Sequence, residues 1–327
     1  MVEGFCDVTG GRVWYNILAP EEENDSTPLI FIHGGPGYTH NSFRALSDLS
    51  VTRKIIFYDQ LGCGKSDRPN DISLWTINRH VEELNQLVSH LELREFYLLG
   101  HSWGSIIALE YANTHHDLVK GIIFASACIS VPKWIEDSKR LRRQLPTEVE
   151  RSLKIGQQIG EYHSPEYLEA ANEYAKRFIC RLDPKPQVLL DSDAQAGAQT
   201  YLTMWGPNEF TLLGTLANYD GSEKLALLDL PVIITCGRFD EGTPEASEHY
   251  LSSLHQETSL VVFEESAHFP HVEERDKYLD FLTSFLQEMD QGLRLSKEFG
   301  KVKPTEIFAL VLLLAFALLI VLYIFVN

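Results

Sequence analysis

Basic residues are few in this chain of 327 residues, which has 28 Lys and Arg against 46 Asp and Glu. The formal net charge is −18 with histidine neutral. A nucleic-acid-binding protein needs a basic surface to displace counterions from phosphate, so this charge balance argues against a polyanion partner. We therefore expect no nucleic acid among the partners.

Cysteine is also scarce, and the five cysteines are widely scattered: Cys6, Cys63, Cys128, Cys180 and Cys236. The sequence has no Cys-x-x-Cys pair that would suggest a zinc site or a dithiol redox site. We therefore predict reduced, mostly buried thiols, and neither a metal nor a cofactor. The first residues, MVEGFCDVTGGRVWY, lack the basic and apolar regions of a cleaved secretory signal. This predicts a body that stays in the cytosol.

Charge, glycine and proline are all absent from residues 307–326. As a helix this run would be about 30 Å long, which matches the hydrocarbon thickness of a bilayer. A buried core helix is the alternative, but such helices are usually shorter or amphipathic. Four basic residues precede the run and favour the cytosolic side: Arg294, Lys297, Lys301 and Lys303. The sequence thus predicts a single-pass membrane anchor, membrane lipid as a partner and a cytosolic catalytic body.

Strand-like and helix-like segments alternate before that run. Short apolar runs typical of strands buried on both faces are PLIFIHGG, KIIFYDQ, EFYLLGHS, GIIFASA, PVIITCG and TSLVVFEE. The opening GFCDVTGGRVWYNIL reads as a hairpin, and amphipathic helical patterns lie between the later runs. The alternation predicts an α/β fold in which helices flank a mostly parallel sheet.

One long stretch, residues 131–228, holds helical patterns and no convincing strand. We interpret it as a helical cap inserted into the sheet domain. Residues 1–130 and 229–290 would then form the two parts of the core. Residues 291–306 would link the core to the transmembrane helix at 307–326.

The sharpest chemical signal is GHSWG at residues 100–104, between the strand-like EFYLL and the helix-like SIIALEY. A Gly-x-Ser-x-Gly pattern in this context is typical of a nucleophile elbow, a tight strand-to-helix turn that lifts the serine hydroxyl above the sheet edge. Small flanking residues permit the close backbone approach that the turn requires. The pattern predicts Ser102 as a nucleophile.

A nucleophilic serine needs a base and a carboxylate that orients the base, and on such a sheet they follow in the order acid, then histidine. Asp240 follows the strand-like PVIITCG, and His268 follows LVVFEE, so both are predicted at carboxyl ends of strands. The rivals are Glu241 for the acid and His271 for the base. We predict Asp240 and His268.

Glycine is concentrated after the first buried strand, in HGGPG at residues 33–37. Acyl transfer builds an oxyanion, and a glycine turn offers it an unobstructed backbone N–H. The residue after the nucleophile, Trp103, offers a second N–H. A second loop, GCGKS at 62–66, resembles a phosphate loop, but Asp59 stands where Walker A needs its first glycine, which disfavours nucleotide binding.

Together the segments HGGPG, YDQLGCGKSD, GHSWGS, GRFDE and SAHFPH resemble the proline iminopeptidase branch of the α/β-hydrolases, peptidase family S33. The resemblance spans roughly residues 5–288. It implies the α/β-hydrolase fold with a helical cap, and it assigns the site residues as follows. The triad is Ser102, Asp240 and His268, and the oxyanion donors are Gly35 and Trp103.

A further segment, MWGPNEF at residues 204–210, is similar to the cap signature of that branch, whose glutamate contacts the free α-amino group of the substrate. This implies Glu209 as one amino-binding residue. The family's second such acid follows the catalytic aspartate, which implies Glu241. Two carboxylates in an enclosed site suit an ammonium group, because each accepts charge-assisted hydrogen bonds.

These observations predict a serine hydrolase that removes an N-terminal residue such as proline from peptides, or hydrolyses amino-acid amides, through an acyl-enzyme. The substrate would carry a free amino group. One alternative is an esterase, lactonase or amidase that acts on a small or lipidic metabolite at a membrane. Another is a catalytically silent membrane scaffold, which a complete triad disfavours.

Overall fold

An eight-stranded sheet forms the centre of the computed structural model, which describes residues 1–22, 24–255 and 258–292. The strands are β1 (Val2–Val8), β2 (Gly11–Leu18), β3 (Leu29–Ile32), β4 (Ile55–Tyr58), β5 (Phe96–His101), β6 (Val119–Ala125), β7 (Val232–Gly237) and β8 (Ser259–Phe263). Their spatial order is β1-β2-β4-β3-β5-β6-β7-β8. Strands β1, β2 and β4 pair antiparallel, and every other neighbouring pair is parallel. The predicted hairpin and the mostly parallel sheet are confirmed.

The helices on either side of the sheet account for the alternating pattern of the sequence. They are α1 (Ile77–His90), α2 (Trp103–Thr114), α3 (Val131–Arg142), α4 (Thr147–Ile159), α5 (Pro165–Phe178), α6 (Gln187–Ala194), α7 (Ala198–Met204), α8 (Ser222–Leu225), α9 (Pro244–Ser253), α10 (Pro270–Glu273) and α11 (Arg275–Asp290). Short 3₁₀ segments cover His40–Val51, Ile72–Leu74 and His116–Leu118.

Both faces of the sheet are covered, and the central strands show why their sequences are apolar throughout. In β3, Ile30 and Ile32 pack into the core that also contains α1 and α2 residues, whereas Leu29 and Phe31 face the core that contains α11. All four side chains are fully buried. Successive residues of a strand point to opposite faces, so a strand with helices on both sides needs apolar residues at every position.

Helices alone occupy the range between β6 and β7, which the structure describes throughout, apart from isolated bridges. Helices α4 and α5 carry a small core of their own. That core includes Leu153, Tyr167 and Tyr174, all of them buried. We call the helical stretch from α3 to α8 the cap. The domain boundaries given above, at residues 130, 228 and 290, stay predictions.

The predicted transmembrane helix, residues 307–326, lies outside the described residues, as do residues 293–306 of the predicted linker. None of the described helices is long and apolar enough to cross a membrane. The fold prediction is therefore confirmed for the sheet and its helices, and the membrane helix finds no support in the structure.

Candidate active site

A strained serine marks the turn from β5 into α2. Ser102 has φ 53° and ψ −122°, a backbone conformation that L-residues rarely adopt. Its N–H donates to the carbonyl oxygen of Ala125, 3.0 Å away. A Cβ on Gly100 would lie 2.5 Å from the carbonyl oxygen of Gly104, and a Cβ on Gly104 would overlap that of Ile32. Both glycines are thus required because the turn presses α2 against the sheet.

We expect Gly104→Ala to destabilise the protein by about 1 to 3 kcal/mol, although alanine normally favours a helix. The added methyl would meet the backbone of Ile32 and His33 in and after β3, and backbone in the middle of a sheet cannot move aside cheaply. Thermal unfolding of the purified variant measures the effect. A variant as stable as the wild type would contradict the close approach.

The predicted acid and base lie in contact. Asp240, in the loop after β7, accepts a hydrogen bond of 2.7 Å at Oδ1 from Nδ1 of His268, in the loop after β8. The backbone N–H of Gly242 also donates to Oδ1, at 2.7 Å, and that of Gly237 donates to Oδ2, at 3.4 Å. Asp240 is only 1% exposed, so this carboxylate has a fixed orientation. Such a pairing leaves Nε2 of His268 as the nitrogen available to a serine.

The rival residues occupy different surroundings. His271 is fully buried, and neither of its ring nitrogens has a hydrogen-bond partner among the described residues. Burial lowers the pKa of His271 to about 3. Its neighbours are the rings of Phe43, His101 and Tyr278. His271 is therefore suited to a neutral packing position rather than to proton transfer.

The glycine-rich loop after β3 lies directly against the elbow. A Cβ on Gly34 would stand 3.0 Å from the Cβ of Ser102. Gly35 has φ 118°, which favours glycine. Trp103 is the first residue of α2, and the first N–H groups of a helix have no partner within it. The structure thus brings the segment of Gly35 and the start of α2 to the same place, and their role as oxyanion donors stays a prediction.

A buried hydrogen-bond chain joins three of the sequence motifs. The Trp103 indole N–H donates to Oε1 of Gln60 at 2.9 Å, and the Gln60 backbone N–H donates to Nε2 of His33 at 2.9 Å. Gln60 Nε2 donates to the His33 carbonyl oxygen, also at 2.9 Å. Burial lowers the pKa of His33 to about 4, so its ring is neutral and can accept. The sequence motifs predict no role for Gln60, although it lies within YDQLGCGKSD.

The GCGKS loop encloses a carboxylate instead of a phosphate. Asp59 accepts hydrogen bonds from the His40 backbone N–H and ring Nδ1, at 2.9 and 2.7 Å, and from the Lys65 backbone N–H at 2.9 Å. The Lys65 ammonium is turned away and pairs with Glu3 at 2.9 Å. A Cβ on Gly64 would overlap the Asp59 carboxylate. This arrangement agrees with the argument against nucleotide binding.

The pKa values of the two acidic residues assigned to amino binding, Glu209 and Glu241, are both raised. Glu241 is 1% exposed, and neither of its carboxyl oxygens has a hydrogen-bond partner of good geometry among the described residues. Burial raises the pKa of Glu241 well above its usual range, the charges of Glu209 and Asp240 raise it further, and the Tyr174 hydroxyl lowers it in part. Burial also raises the pKa of Glu209, which a hydrogen bond from the Tyr201 hydroxyl and the nearby His268 lower in part.

Glu209 lines a cavity of about 450 Å³ between the cap and the glycine-rich loop. The loop contributes Pro36, Gly37 and Tyr38 to its wall. The cap contributes side chains from α5, α7 and the MWGPNEF segment, including Phe210. Most of this lining is apolar, so a molecule in the cavity would meet one carboxylate on an otherwise hydrophobic surface.

Among the residues that the structure describes, no three or more His, Cys, Asp or Glu side chains are grouped so that they could hold a metal ion.

Comparison with known proteins places this geometry in a family. Residues 27–275 match the family described as alpha/beta hydrolase fold. A curated proline iminopeptidase from Heyndrickxia coagulans is 44% identical over 288 residues, which are 88% of this chain and 99% of that protein. One from Saccharolobus solfataricus is 34% identical over 88% of this chain and 93% of its own.

The chain belongs to the proline iminopeptidase branch of the α/β-hydrolases. A solved proline iminopeptidase structure from Mycobacterium smegmatis agrees, with a TM-score of 0.83, 30% identity and coverage of 89% of this chain and 99% of that one. The predicted resemblance and the predicted enzyme class, a proline iminopeptidase-like serine hydrolase, are confirmed.

The same comparisons correct the predicted location. The Heyndrickxia coagulans proline iminopeptidase matches over 99% of its own length while covering 88% of this chain. No described helix could span a membrane. The predicted location, a membrane-anchored protein, is therefore wrong, and membrane lipid as a partner finds no support. The prediction rests on the uncharged run and on the basic residues before it, and a run of that length is necessary for a span but does not establish one.

Proposed function

We propose that this enzyme removes an N-terminal residue such as proline from peptides or amino-acid amides. The observation that carries the proposal is the acidic pair. Glu241 is a buried carboxylate without a good hydrogen-bond partner among the described residues, beside a second carboxylate of raised pKa, Glu209. Burial without a partner disfavours the ionised form of such a carboxyl group, and a cationic ligand in the site would stabilise that form. The ammonium group of a peptide's first residue is such a ligand.

In this proposal Ser102 Oγ attacks the carbonyl carbon of the first residue while His268 accepts its proton. Asp240 accepts the Nδ1–H of His268 at 2.7 Å and so fixes the tautomer. The N–H groups of Gly35 and Trp103 stabilise the oxyanion. His268 then protonates the leaving amine, and water hydrolyses the acyl-enzyme to release the free amino acid.

The acidic pair explains why such an enzyme would act at a chain end. An ammonium group between Glu209 and Glu241 offsets the repulsion between them and supplies hydrogen-bond donors to the unsatisfied oxygens. A blocked amino group would leave the repulsion in place. The distance of a peptide bond from the ammonium group held by the pair thus selects the first bond. The name of the curated relatives, proline iminopeptidase, supports proline as one first residue.

We expect Glu241→Gln to lower kcat/KM on a free-amine arylamide by about 10- to 100-fold, since a charge-assisted hydrogen bond is worth roughly 1.5 to 3 kcal/mol. Turnover of a simple ester without an amino group should change little. The matched control is Glu245→Gln. Glu245 lies four positions after Glu241, and its exposed side chain pairs with Arg140. Equal losses on amide and ester would contradict amino binding and favour the esterase or amidase alternative.

The same variant should be more stable than the wild type. Because the folded-state pKa of Glu241 is raised, its protonated form favours folding, and that stability is lost as pH rises above the ordinary range of a carboxyl group. The amide has no proton to lose and therefore avoids this loss of stability. The unfolding midpoint of Glu241→Gln should therefore exceed that of the wild type by more at pH 8 than at pH 4. An unchanged midpoint at both pH values would show that the carboxyl group of Glu241 does not destabilise the folded state.

A further inference from the structure

The end of α5 and the segment that follows it contact both loops that carry the proposed acid and base. The carbonyl oxygen of Phe178 accepts a hydrogen bond of 3.1 Å from the N–H of Glu241, next to Asp240. The carbonyl oxygen of Ile179 accepts one of 3.0 Å from the N–H of His268 itself. The cap is thus tied by its backbone to each of the two loops.

A single carboxylate reinforces this connection. Glu273 Oε1 accepts hydrogen bonds from the backbone N–H groups of Ala267, at 3.0 Å, and Phe269, at 3.1 Å. Its Oε2 accepts one of 2.8 Å from the N–H of Arg181. Glu273 therefore holds the residue on each side of His268 with one oxygen and the cap segment with the other.

The groups around Glu273 that donate to its carboxylate are backbone N–H groups. Burial raises the pKa of its carboxyl group, and the three N–H donors oppose that rise. The Arg181 guanidinium lies 3.7 Å from the ring centroid of Phe239, which precedes Asp240, so it is turned to the acid loop. The charge of Glu273 is therefore compensated by backbone N–H groups, each of which would otherwise need another acceptor.

We propose that Glu273 is a positioning residue that aligns His268 with Asp240 and couples this alignment to the seating of the cap. The inference rests on the proposed function in so far as His268 is the base. Glu273 does not line the cavity, so it should affect the chemical step more than substrate binding. Misplacing a catalytic group by about 1 Å can cost 10²-fold in rate.

The test compares Glu273→Gln with the wild type in the full chain. Glutamine keeps the shape but presents an NH₂ group where one acceptor oxygen stood, so a donor faces a donor. We expect the rate at which a fluorophosphonate labels Ser102, and kcat on a p-nitrophenyl ester, to fall by about 10- to 100-fold with KM nearly unchanged. Glu264→Gln, which removes only an exposed ion pair with Arg238 in the same region, should stay within about twofold.

Glu273→Asp provides a second measurement, also if the glutamine variant does not fold. It keeps the charge and shortens the reach, so labelling should be slower than in the wild type and faster than in Glu273→Gln. Labelling rates equal to those of Glu264→Gln would overturn the proposal. The proposal would also be overturned if the slower labelling disappeared at temperatures well below the unfolding midpoint of the variant, because the loss would then reflect stability alone.

Labelling and ester turnover do not require the amino anchor, so this proposal and the proposed function can fail separately. If the wild type ignores free-amine substrates while Glu273→Gln still slows labelling, the aminopeptidase function fails and the positioning role stands. If the wild type cleaves free-amine substrates and Glu273→Gln labels at the wild-type rate, the reverse holds. A wild type that no probe labels overturns both.

Discussion

Ser102→Ala should lose about 10⁴-fold or more of its turnover on free-amine arylamides, because nucleophile, base and acid act as a unit. Without the hydroxyl, His268, held by its hydrogen bond to Asp240, has no nucleophile from which to accept a proton. The strained backbone at φ 53° remains, so the fold should change little. Steady-state kinetics and fluorophosphonate labelling measure the loss, and labelling should disappear altogether.

Ser252→Ala is a suitable control for this prediction. Ser252 is exposed on α9 and donates only to the carbonyl oxygen of His249, so its hydroxyl is remote from the proposed chemistry. It should retain wild-type turnover and labelling. If Ser102→Ala keeps more than about 1% of the wild-type rate, the nucleophile lies elsewhere and the elbow has another purpose.

The sheet and the places of Ser102, Asp240 and His268 could be predicted because each depends on a local pattern. A strand buried on both faces is apolar at every position, as β3 shows. A turn that presses a helix onto a sheet needs glycine where a Cβ would meet backbone, as at Gly104. Residues that follow parallel strands gather at one edge of the sheet, so sequence order indicates that an acid after β7 and a histidine after β8 lie together.

Gln60 and Glu273 could not be predicted in the same way. Gln60 contacts an indole 43 positions away, and Glu273 contacts a backbone N–H 92 positions away. Gln60 also donates to a backbone carbonyl group, and Glu273 accepts from backbone N–H groups. Every sequence contains such backbone groups, so no pattern of residue types reveals these contacts. Their partners are set by the packing of the cap and of the loops at the sheet edge, which only the three-dimensional arrangement provides.

Acetylating the amino group of a proline arylamide should lower kcat/KM by about two to four decades. The acetyl group removes the positive charge that Glu209 and Glu241 would share, adds bulk, and leaves the two carboxyl groups without the ammonium that would offset their repulsion. One lost charge-assisted hydrogen bond is worth roughly 1.5 to 3 kcal/mol, and unrelieved repulsion between the carboxylates adds to it. Measuring both substrates with the same leaving group isolates the amino end.

The pH dependence of the same pair of substrates gives a second, independent measurement. Since the pKa of Glu241 is raised, its carboxyl group gains a proton as pH falls, and kcat/KM for the free-amine substrate should fall with it. At alkaline pH the substrate's own amine, with a pKa of about 8 in water, loses its charge and kcat/KM should fall again. The acetylated substrate should lack this alkaline limb. Equal rates on both substrates, with no limb that follows the amine, would remove the aminopeptidase function and leave a hydrolase that selects its substrate by other means.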